Sequence, residues 1–497
     1  MTNRLVFLAL LLLIILLQNS HADQIDASGV RWPVPQWNIA SEQSERMLTP
    51  TCQEFINYTT RSKKFLTDGL VVIKDGSIQY EYYDSNYTAN SPHVLWSISK
   101  NITATLLGIA VKEGRVSLDD YLHQYFPRSD ASENYQKIKI SNLLYLDTGY
   151  VWNEFYSGDV AQSPVLGILY GNNHYDVLNF ALTRPIISQG PGYQWNYTTG
   201  TPVITMGVLK EVYREEYDKM PWKILFNQLG MQNVHFEQDA KGVFNGGSSA
   251  FATPREMAKL GYLYLNRGMW NGKEILSEDW IKTVLTVSPG YLSSGTVIKN
   301  ITDDGVYGGS FWLNKAVKPG FGKPYPASPD DMFMGLGHFG QFLVVLPSQN
   351  MVIARTGHDN EYNSKIDLFV TKALACFHDP NYPQGKIIPP PKSSGSSIKE
   401  LFTTLKTGLD THIILSAVAK TICSCHFISG VDTKTCVARS NIPLAKWLTH
   451  HEVVGNQVQV RQTKLAKILN KVLNFQREPL AIAQYNANEP QFGCLLK

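Results

Sequence analysis

Residues 70–82, which read LVVIKDGSIQYEY, carry the first clear structural signal in this chain. Two apolar runs flank Asp75 and Gly76, a dipeptide that is typical of a tight β-hairpin. A connection this short can join only antiparallel strands. Residues 342–346 and 351–354 are a second pair of apolar runs, separated by the turn-forming sequence PSQN. The sequence therefore predicts an antiparallel hairpin towards each end of its main body.

The segments between and after the two hairpins have helical patterns. Apolar residues recur at helical spacing in residues 102–113, 203–212, 254–267, 277–287 and 359–376. Strands at both ends with helices between them predict an α+β fold, in which an antiparallel sheet is flanked by helices and accompanied by a mostly helical subdomain. The two distant ends of the body would complete the sheet.

The N-terminus has the features of an export signal. Arg4 precedes an uninterrupted apolar run at residues 5–17, and small residues come before Asp23. We expect residues 1–22 to be a signal peptide and the mature protein to be exported, either periplasmic or secreted. A retained signal anchor is the alternative. No later stretch has the length and apolar character of a membrane span, so we expect no stable membrane insertion after signal removal.

A linker-like segment at residues 386–397, KIIPPPKSSGSS, divides the rest of the 497-residue chain. Three consecutive prolines stiffen this segment and the serine and glycine residues loosen it, as in a linker. It separates a body at residues 23–385 from a small cysteine-containing C-terminal module at residues 398–497. The module contains a helical pattern at residues 413–422 and an alternating, strand-like pattern at residues 457–460.

Charge and motif content argue against several classes of ligand. The 45 Lys and Arg residues nearly balance the 42 Asp and Glu residues, so the sequence gives no reason to expect nucleic acid. The chain has no CxxC or HExxH motif. We expect no metal and no cofactor, and a small molecule as the partner.

Six cysteines in an exported chain suggest disulfides. The simplest hypothesis pairs Cys52 with Cys376, which flank the body, and keeps the four tail cysteines among themselves. Those four allow three pairings, and the sequence does not choose between them. Free buried cysteines are the alternative. Because the proposed sheet brings the two ends of the body together, the pairing of Cys52 with Cys376 tests the fold.

Ser97 and Lys100 are the first candidate catalytic pair. If Ser97 opens the helix that follows, Lys100 lies one turn later on the same face. A serine hydroxyl needs a base to take its proton, and a lysine can serve if burial lowers its pKa. The spacing is weak support alone, because it also occurs at Ser396 and Lys399. A helix cap with an exposed lysine is the alternative for Ser97.

Two further segments strengthen the case. Residues 190–200, GPGYQWNYTTG, form a turn-rich loop that contains Tyr197. Residues 335–341, GLGHFGQ, form a glycine-rich approach to the second hairpin and contain His338. Taken singly, Tyr197 could be a core residue and His338 a surface histidine.

Together, in the order Ser-x-x-Lys, Tyr-x-Thr and His-x-Gly, these motifs resemble those of the serine hydrolases of the β-lactamase and penicillin-binding-protein superfamily. The sequence is most similar to the class C-like branch of esterases, amidases and nylon-oligomer hydrolases. Residues 116–127, 138–149 and 246–280 also resemble this family. The resemblance covers roughly residues 65–380 of the chain.

The resemblance implies a role for each matching residue. Ser97 would be the acylated nucleophile, Lys100 would accept its proton, and Tyr197 would complete the proton network. The backbone N–H groups of Ser97 and Gln341 would form the oxyanion hole. Thr199, His338, Gly340 and Trp195 would contact the substrate.

Two departures from the family pattern bear on the substrate. The family's Tyr-x-Asn is Tyr-x-Thr here, with Thr199 in place of the asparagine, and its Lys-Thr-Gly is His338-Phe339-Gly340. Histidine is largely neutral near pH 7, so a substrate carboxylate would lose a fixed cationic partner. Both differences favour an ester or a simple amide substrate. The nearby aromatic residues, Trp195 among them, would suit a small apolar group, although core packing explains most of them equally well.

Three functions are therefore open. The leading hypothesis is an exported serine esterase or amidase. The second is a peptidoglycan D,D-peptidase or β-lactamase. The third is a catalytically silent binding protein with the same fold.

Overall fold

The structure is a computed structural model that describes residues 26, 29–40, 43–62, 65–154, 163–294, 305–317, 322–359, 366–377, 411–440, 449–463 and 480–497. The predicted signal peptide at residues 1–22 and the predicted linker at residues 386–397 lie outside the described residues.

The strands, in chain order, are β1 (Asn38–Ile39), β2 (Thr67–Lys74), β3 (Ser77–Tyr83), β4 (His93–Val94), β5 (His235–Phe236), β6 (Ala250–Ala252), β7 (Met269–Trp270), β8 (Lys273–Glu274), β9 (Val306–Tyr307), β10 (Trp312–Leu313), β11 (Phe333–Gly337), β12 (Gln341–Leu346), β13 (Met351–Gly357), β14 (Thr449–Val454), β15 (Gln457–Gln462), β16 (Leu480–Tyr485) and β17 (Cys494–Leu496). The helices are α1 (Gln43–Arg46), α2 (Pro50–Thr60), α3 (Ser99–Lys112), α4 (Leu122–Tyr125), α5 (Glu133–Gln136), α6 (Ile140–Tyr145), α7 (Pro164–Leu169), α8 (Val177–Leu182), α9 (Gly200–Tyr213), α10 (Pro254–Leu265), α11 (Glu278–Val284), α12 (Pro289–Ser293), α13 (Ile366–Phe377), α14 (Thr411–Cys423) and α15 (Thr433–Arg439).

The main sheet joins the two ends of the body. Among the described residues it has eight strands in the order β1-β3-β2-β13-β12-β11-β10-β9. Strand β13 pairs antiparallel with β2, with Val72 opposite Ile353, so the two predicted hairpins lie side by side. The short edge pair of β1 and β3 is parallel, whereas the other neighbours are antiparallel. The predicted α+β class and both hairpins are confirmed.

Helices pack closely on this sheet. A Cβ atom at Gly261 of α10 would lie only 2.7 Å from Val352 Cγ1 and 2.8 Å from Leu343 Cδ1, so the glycine allows the helix to approach strands β12 and β13. A disulfide between Cys52 and Cys376 joins α2 to α13. The predicted pairing is therefore confirmed, as expected if the sheet brings the two ends of the body together.

The five predicted helices are present, but each differs from the structure at one or both ends, and two of them bear on the site. The helix predicted at residues 102–113 begins at Ser99. The helix predicted from Asp359 is α13, Ile366–Phe377, and Asp359 itself lies outside it. The carboxylate of Asp359 accepts hydrogen bonds from the Arg355 guanidinium at 2.8 and 3.0 Å. This ion pair, rather than a helix, explains the position of Asp359.

The C-terminal module has its own sheet and disulfides. Its strands lie in the order β14-β15-β16-β17, all antiparallel, and α14 packs against them. The predicted helix and strand of the module are confirmed as parts of α14 and β15. Disulfides Cys423–Cys494 and Cys425–Cys436 confirm that the tail cysteines pair among themselves. Over the described ranges, none of the helices combines the length and the hydrophobicity that a membrane crossing requires.

Candidate active site

Ser97 lies in a sharp turn at the start of the central helix. It belongs to a 3₁₀ turn, Trp96–Ile98, that leads directly into α3. The expectation that Ser97 opens the helix itself is wrong by two residues, because Trp96 has a left-handed φ of +49° and bends the chain there. The amide of Ala250 in β6 donates to Ser99 Oγ at 3.0 Å, and the Ala250 carbonyl accepts from the Leu95 amide at 2.8 Å. Strand β6 thus holds the segment on both sides of Ser97.

Lys100 places its amine directly beside the Ser97 hydroxyl. Its Nζ atom donates to Ser97 Oγ at 3.0 Å, to the Gly247 carbonyl at 2.9 Å and to Thr199 Oγ1 at 3.2 Å. The side chain is only 1% exposed. Burial lowers the pKa of Lys100 from its ordinary 10.5 to about 8, and the nearby Glu154 carboxylate opposes part of this shift. An amine with this pKa can accept a proton near neutral pH.

Tyr197 lies on the other side of this amine. Lys100 Nζ is 4.6 Å from the centroid of the Tyr197 ring. The ring stacks on Trp312, with centroids 5.6 Å apart, and meets Tyr307 edge-on at 5.8 Å. The contacts with Trp312 and Tyr307 hold the Tyr197 ring beside the Lys100 amine. The structure therefore brings together Ser97, Lys100 and Tyr197, three residues that the sequence motifs singled out.

Trp195 lies behind Tyr197 rather than at the open side of the site. Its indole is 8% exposed and packs against Tyr197, Tyr291, Tyr307 and Trp312, at centroid distances of 5.3 to 6.1 Å. This aromatic cluster supports the Tyr197 ring. This packing agrees with the core-packing alternative for Trp195, and its predicted contact with substrate stays a prediction.

Thr199 and Glu154 form a polar support behind Lys100. Thr199 is fully buried, and its hydroxyl contacts both Lys100 Nζ and the Glu154 carboxylate. Glu154 also accepts from the Thr199 amide at 3.0 Å and from the Trp152 indole at 2.6 Å, and its Oε1 lies 4.0 Å from Lys100 Nζ. Glu154 was not predicted from the sequence, because no motif spacing links it to Ser97. Thr199 contacts the Lys100 amine, and its expected contact with substrate stays a prediction.

The His338–Gln341 segment forms a tight turn between β11 and β12. Phe339 and Gly340 both have positive φ, +61° and +85°. A Cβ atom at Gly337 would lie 2.3 Å from the Leu95 carbonyl, so this end of the hairpin lies directly against the segment that carries Ser97. The turn thus brings His338, Gly340 and Gln341 to the site, as the motifs predict.

A buried ion pair supports this turn from below. Arg355 Nη1 donates to the Gly340 carbonyl at 2.6 Å, and its guanidinium pairs with Asp359. The Asp359 amide donates to the Phe339 carbonyl at 3.0 Å. The Gln341 side chain is also fully buried, and its amide donates to the carbonyls of His338 and Gly357, at 2.8 Å each. These bonds hold the backbone of the turn, where the predicted oxyanion donor of Gln341 is located.

His338 is neutral in this environment. Burial lowers the pKa of its imidazole from 6.5 to about 4. Its ring packs on Trp96, with centroids 5.6 Å apart, and on Phe339, at 3.8 Å. The position that is a lysine in the family pattern therefore carries no fixed positive charge at neutral pH. Over the described residues, no group of three or more His, Cys, Asp or Glu side chains has the arrangement of a metal site.

Comparison with known proteins agrees with this geometry. The sequence profile of the family described as Beta-lactamase matches residues 53–368. The 6-aminohexanoate-dimer hydrolase of Paenarthrobacter ureafaciens is 22% identical over 331 residues, which cover 63% of this chain and 80% of that protein.

Solved structures share the fold. EstCE1, described as a hydrolase with promiscuous acyltransferase activity, superimposes with a TM-score of 0.52 at 14% identity, over 68% of this chain and 98% of its own. A family VIII carboxylesterase superimposes with a TM-score of 0.50 at 14% identity, over 69% of this chain and 99% of its own. The family match ends at residue 368, so the C-terminal module at residues 398–497 lies outside it.

Proposed function

The chain belongs to the beta-lactamase family and is a serine hydrolase, and from that premise we propose that it is an exported esterase or amidase that forms an acyl-enzyme at Ser97. The observation that carries the proposal is the 3.0 Å contact between Lys100 Nζ and Ser97 Oγ. Because the pKa of Lys100 is about 8, its neutral form is accessible at physiological pH and can take the hydroxyl proton.

The proposed reaction has two stages. Ser97 Oγ bonds to the substrate carbonyl carbon as its proton passes to Lys100, and the backbone N–H groups of Ser97 and Gln341 bind the oxyanion. Removal of one such donor costs about 3 kcal/mol in a serine protease. The bond to the alcohol or amine then breaks, Tyr197 delivers a proton to the leaving group, and the protonated Lys100 returns a proton to Tyr197. Water attacks the acyl-enzyme, which releases the acid and restores the Ser97 hydroxyl.

The choice of an ester or simple amide rests on two residues. A neutral His338 offers no cation to a substrate carboxylate, and Thr199 is occupied by Lys100 and Glu154. Both features disfavour a β-lactam or a peptidoglycan peptide. The name of one relative, the 6-aminohexanoate-dimer hydrolase, is consistent with the proposal.

Covalent labelling tests the proposal. A fluorophosphonate probe is expected to label the wild-type protein and Ser85→Ala, an exposed serine variant, at equal rates. Ser97→Ala should not be labelled, and Lys100→Ala should react at least about 100-fold more slowly. No labelling of correctly folded wild type would contradict the proposal and favour the silent binding protein. Rapid acylation by a labelled penicillin would instead favour a D,D-peptidase or β-lactamase.

Export is a separate part of the proposal. The apolar run at residues 5–17 and the three disulfides support it. After expression in a secretion-competent host, N-terminal sequencing of the mature protein should begin at Asp23. A membrane-bound product that retains residues 1–22 would support the signal-anchor alternative.

A further inference from the structure

We propose that the cavity between the body and the C-terminal module is a second ligand site, separate from the catalytic centre. Its ligand is one small, neutral molecule that combines an apolar ring with a hydroxyl or an amide group. The cavity has a volume of about 130 Å³, and among the described residues that line it, none is Ser97, Lys100 or Tyr197. The inference goes beyond the proposed hydrolase function and does not depend on it.

The walls of the cavity come from both parts of the chain. The body contributes Asn245, Ser249 and Phe251, and the module contributes Ser429 and Leu496, among others. A ligand held between these walls contacts the body and the module at once. Since it binds only the assembled form, it favours attachment of the module to the body.

Polar side chains of the lining have unused hydrogen-bonding capacity. Asn245 is 8% exposed, and its Oδ1 atom is buried with no hydrogen-bond partner among the described residues. A half-turn of the side-chain amide exchanges its oxygen and nitrogen, so Asn245 can either accept or donate a hydrogen bond. The Ser248 and Ser249 hydroxyls contact each other at 3.4 Å, a long distance for such a bond. Because buried polar groups in proteins are nearly always paired, these groups favour a ligand that forms hydrogen bonds itself.

The charged side chains that line the cavity already have partners. Asp68 is paired with Arg439, and Glu237 is paired with Lys420. The Asp239 carboxylate accepts three backbone N–H bonds at 2.9 Å each. A charged ligand would lose its hydration without gaining a counter-ion, so the site favours a neutral one.

Apolar side chains and the volume set the size of the ligand. Apolar residues line the cavity from both parts of the chain: Val94, Ile168, Leu169, Val177, Phe251 and Leu496. An apolar cavity of roughly 150 Å³ accommodates one benzene molecule. The volume of about 130 Å³ therefore fits one molecule with a single ring, such as phenol.

Two rings of the lining belong to the turns that carry the catalytic groups. Trp96 immediately precedes Ser97, and Phe339 lies two residues before Gln341. The rings of Trp96 and Phe339 contact each other, with centroids 5.7 Å apart. A ligand packed against this pair contacts both turns from outside the catalytic centre. We therefore expect no competition between this ligand and the substrate.

Calorimetric titration with three probes tests the site and its ligand class. Phenol is neutral at pH 7 and carries one ring and one hydroxyl, benzene lacks the hydroxyl, and benzoate carries a charge. The wild-type protein is expected to bind one phenol per chain. Benzene should bind severalfold more weakly, because it leaves Asn245 without a partner. Benzoate should bind at least about tenfold more weakly, because its charge finds no counter-ion.

Two variants locate the bound phenol. Ser429→Leu fills the cavity from a buried position of the module and should weaken phenol binding at least about tenfold. Asn245→Ala removes the amide, so phenol should lose its advantage over benzene while benzene still binds. Lys434→Leu adds a leucine at an exposed position of the module and is the matched control for Ser429→Leu. Its affinities should equal those of the wild type.

The absence of phenol binding to the wild-type protein, or binding that both cavity variants leave unchanged, would overturn the inference. If one variant does not fold, by thermal melting, the other decides. Benzoate binding as tight as that of phenol would contradict the neutral ligand class. Competitive inhibition of ester hydrolysis by phenol, with an inhibition constant equal to its Kd, would place phenol at Ser97 and reject the separate site. A wild-type protein without hydrolytic activity would reject the proposed function alone, since calorimetry measures binding without it.

Discussion

The buried amine of Lys100 sets the pH dependence expected of the reaction. Its pKa is lowered to about 8, chiefly by burial, and only the neutral amine can accept the proton of Ser97. We predict that kcat/KM for an uncharged ester rises with pH to a plateau, with a midpoint near pH 8. The measurement is a pH–rate profile corrected for spontaneous hydrolysis. A profile that is flat between about pH 6 and pH 9 would show that Lys100 is not the base.

Glu154 tunes this profile without touching the reacting atoms. Its carboxylate lies 4.0 Å from Lys100 Nζ and raises the pKa of Lys100, against the larger effect of burial. In Glu154→Gln the amine should therefore lose its proton at lower pH, and the rising limb should move to lower pH. Glu154→Asp should restore part of the original position.

The control for Glu154 is Glu113→Gln, which removes an exposed carboxylate away from the site. This variant should leave the profile unchanged. If Glu154→Gln lowers activity equally at every pH, its role is to hold Thr199 in place rather than to set the charge state of Lys100.

The turn between β11 and β12 depends on a glycine for two reasons. Gly340 has a φ of +85°, and a Cβ atom there would lie 2.3 Å from both Arg355 Nη1 and Asp359 Oδ2. We predict that Gly340→Ala displaces the buried ion pair and lowers the free energy of unfolding by about 3 kcal/mol or more. Because the Gln341 amide moves with the turn, kcat should fall by about 100-fold or more.

The variant Gly114→Ala measures the cost of backbone strain without any displacement of neighbouring side chains. Gly114 has a φ of +69°, but a Cβ atom there would have no neighbour within 4 Å. This variant should lower the free energy of unfolding only by the strain of an alanine at positive φ, about 1–2 kcal/mol, and kcat should be unchanged. Urea unfolding and ester hydrolysis measure both quantities. Equal destabilisation by the two variants would mean that the Arg355–Asp359 pair tolerates the extra atom.

Local interactions explain which features were predictable from sequence. A two-residue turn fixes its hairpin. A separation of three residues brings Ser97, in the 3₁₀ turn, beside Lys100 in the first turn of α3. Glu154 and Thr199 are 45 residues apart, and their contact exists only after the loop and α9 have packed. The helical spacing in residues 359–376 places Asp359 in a helix, whereas in the structure its contact with the buried Arg355 determines its place.

Contacts between the body and the module were even harder to predict from the sequence. Arg439 and Asp68 are separated by 371 positions, and the Arg439 side chain, 14% exposed, meets a fully buried Asp68 carboxylate, although neither residue belongs to a recognisable motif. The cavity of about 130 Å³ between the body and the module was likewise not predictable from the sequence. Its lining comes from two parts of the chain that the linker separates in sequence. Only tertiary packing brings them together.

The Arg439–Asp68 ion pair is one of the contacts that attach the module to the body. The Arg439 guanidinium contacts Asp68, and it also donates to Asp84 at 2.6 Å. His93 and His358 share the Asp68 carboxylate, with N–O distances of 2.9 to 3.0 Å. Burial opposes ionisation of Asp68, but the hydrogen bonds from the two histidines hold its pKa well below the usual range. The carboxylate is therefore charged at neutral pH, and Arg439 supplies its compensation from the module.

Removal of this cation should loosen the whole assembly. Arg439→Gln leaves the Asp68 carboxylate buried with weaker compensation, which typically costs about 3–5 kcal/mol. Arg439→Lys should recover part of the loss, because an ammonium keeps the charge without the two-pronged geometry. Arg461→Gln, which removes an exposed ion pair with Glu452 in the same module, should cost less than about 1 kcal/mol. Urea unfolding compares the three variants. Equal stability of Arg439→Gln and Arg461→Gln would show that apolar contacts, such as Phe492 against Trp222, hold the module instead.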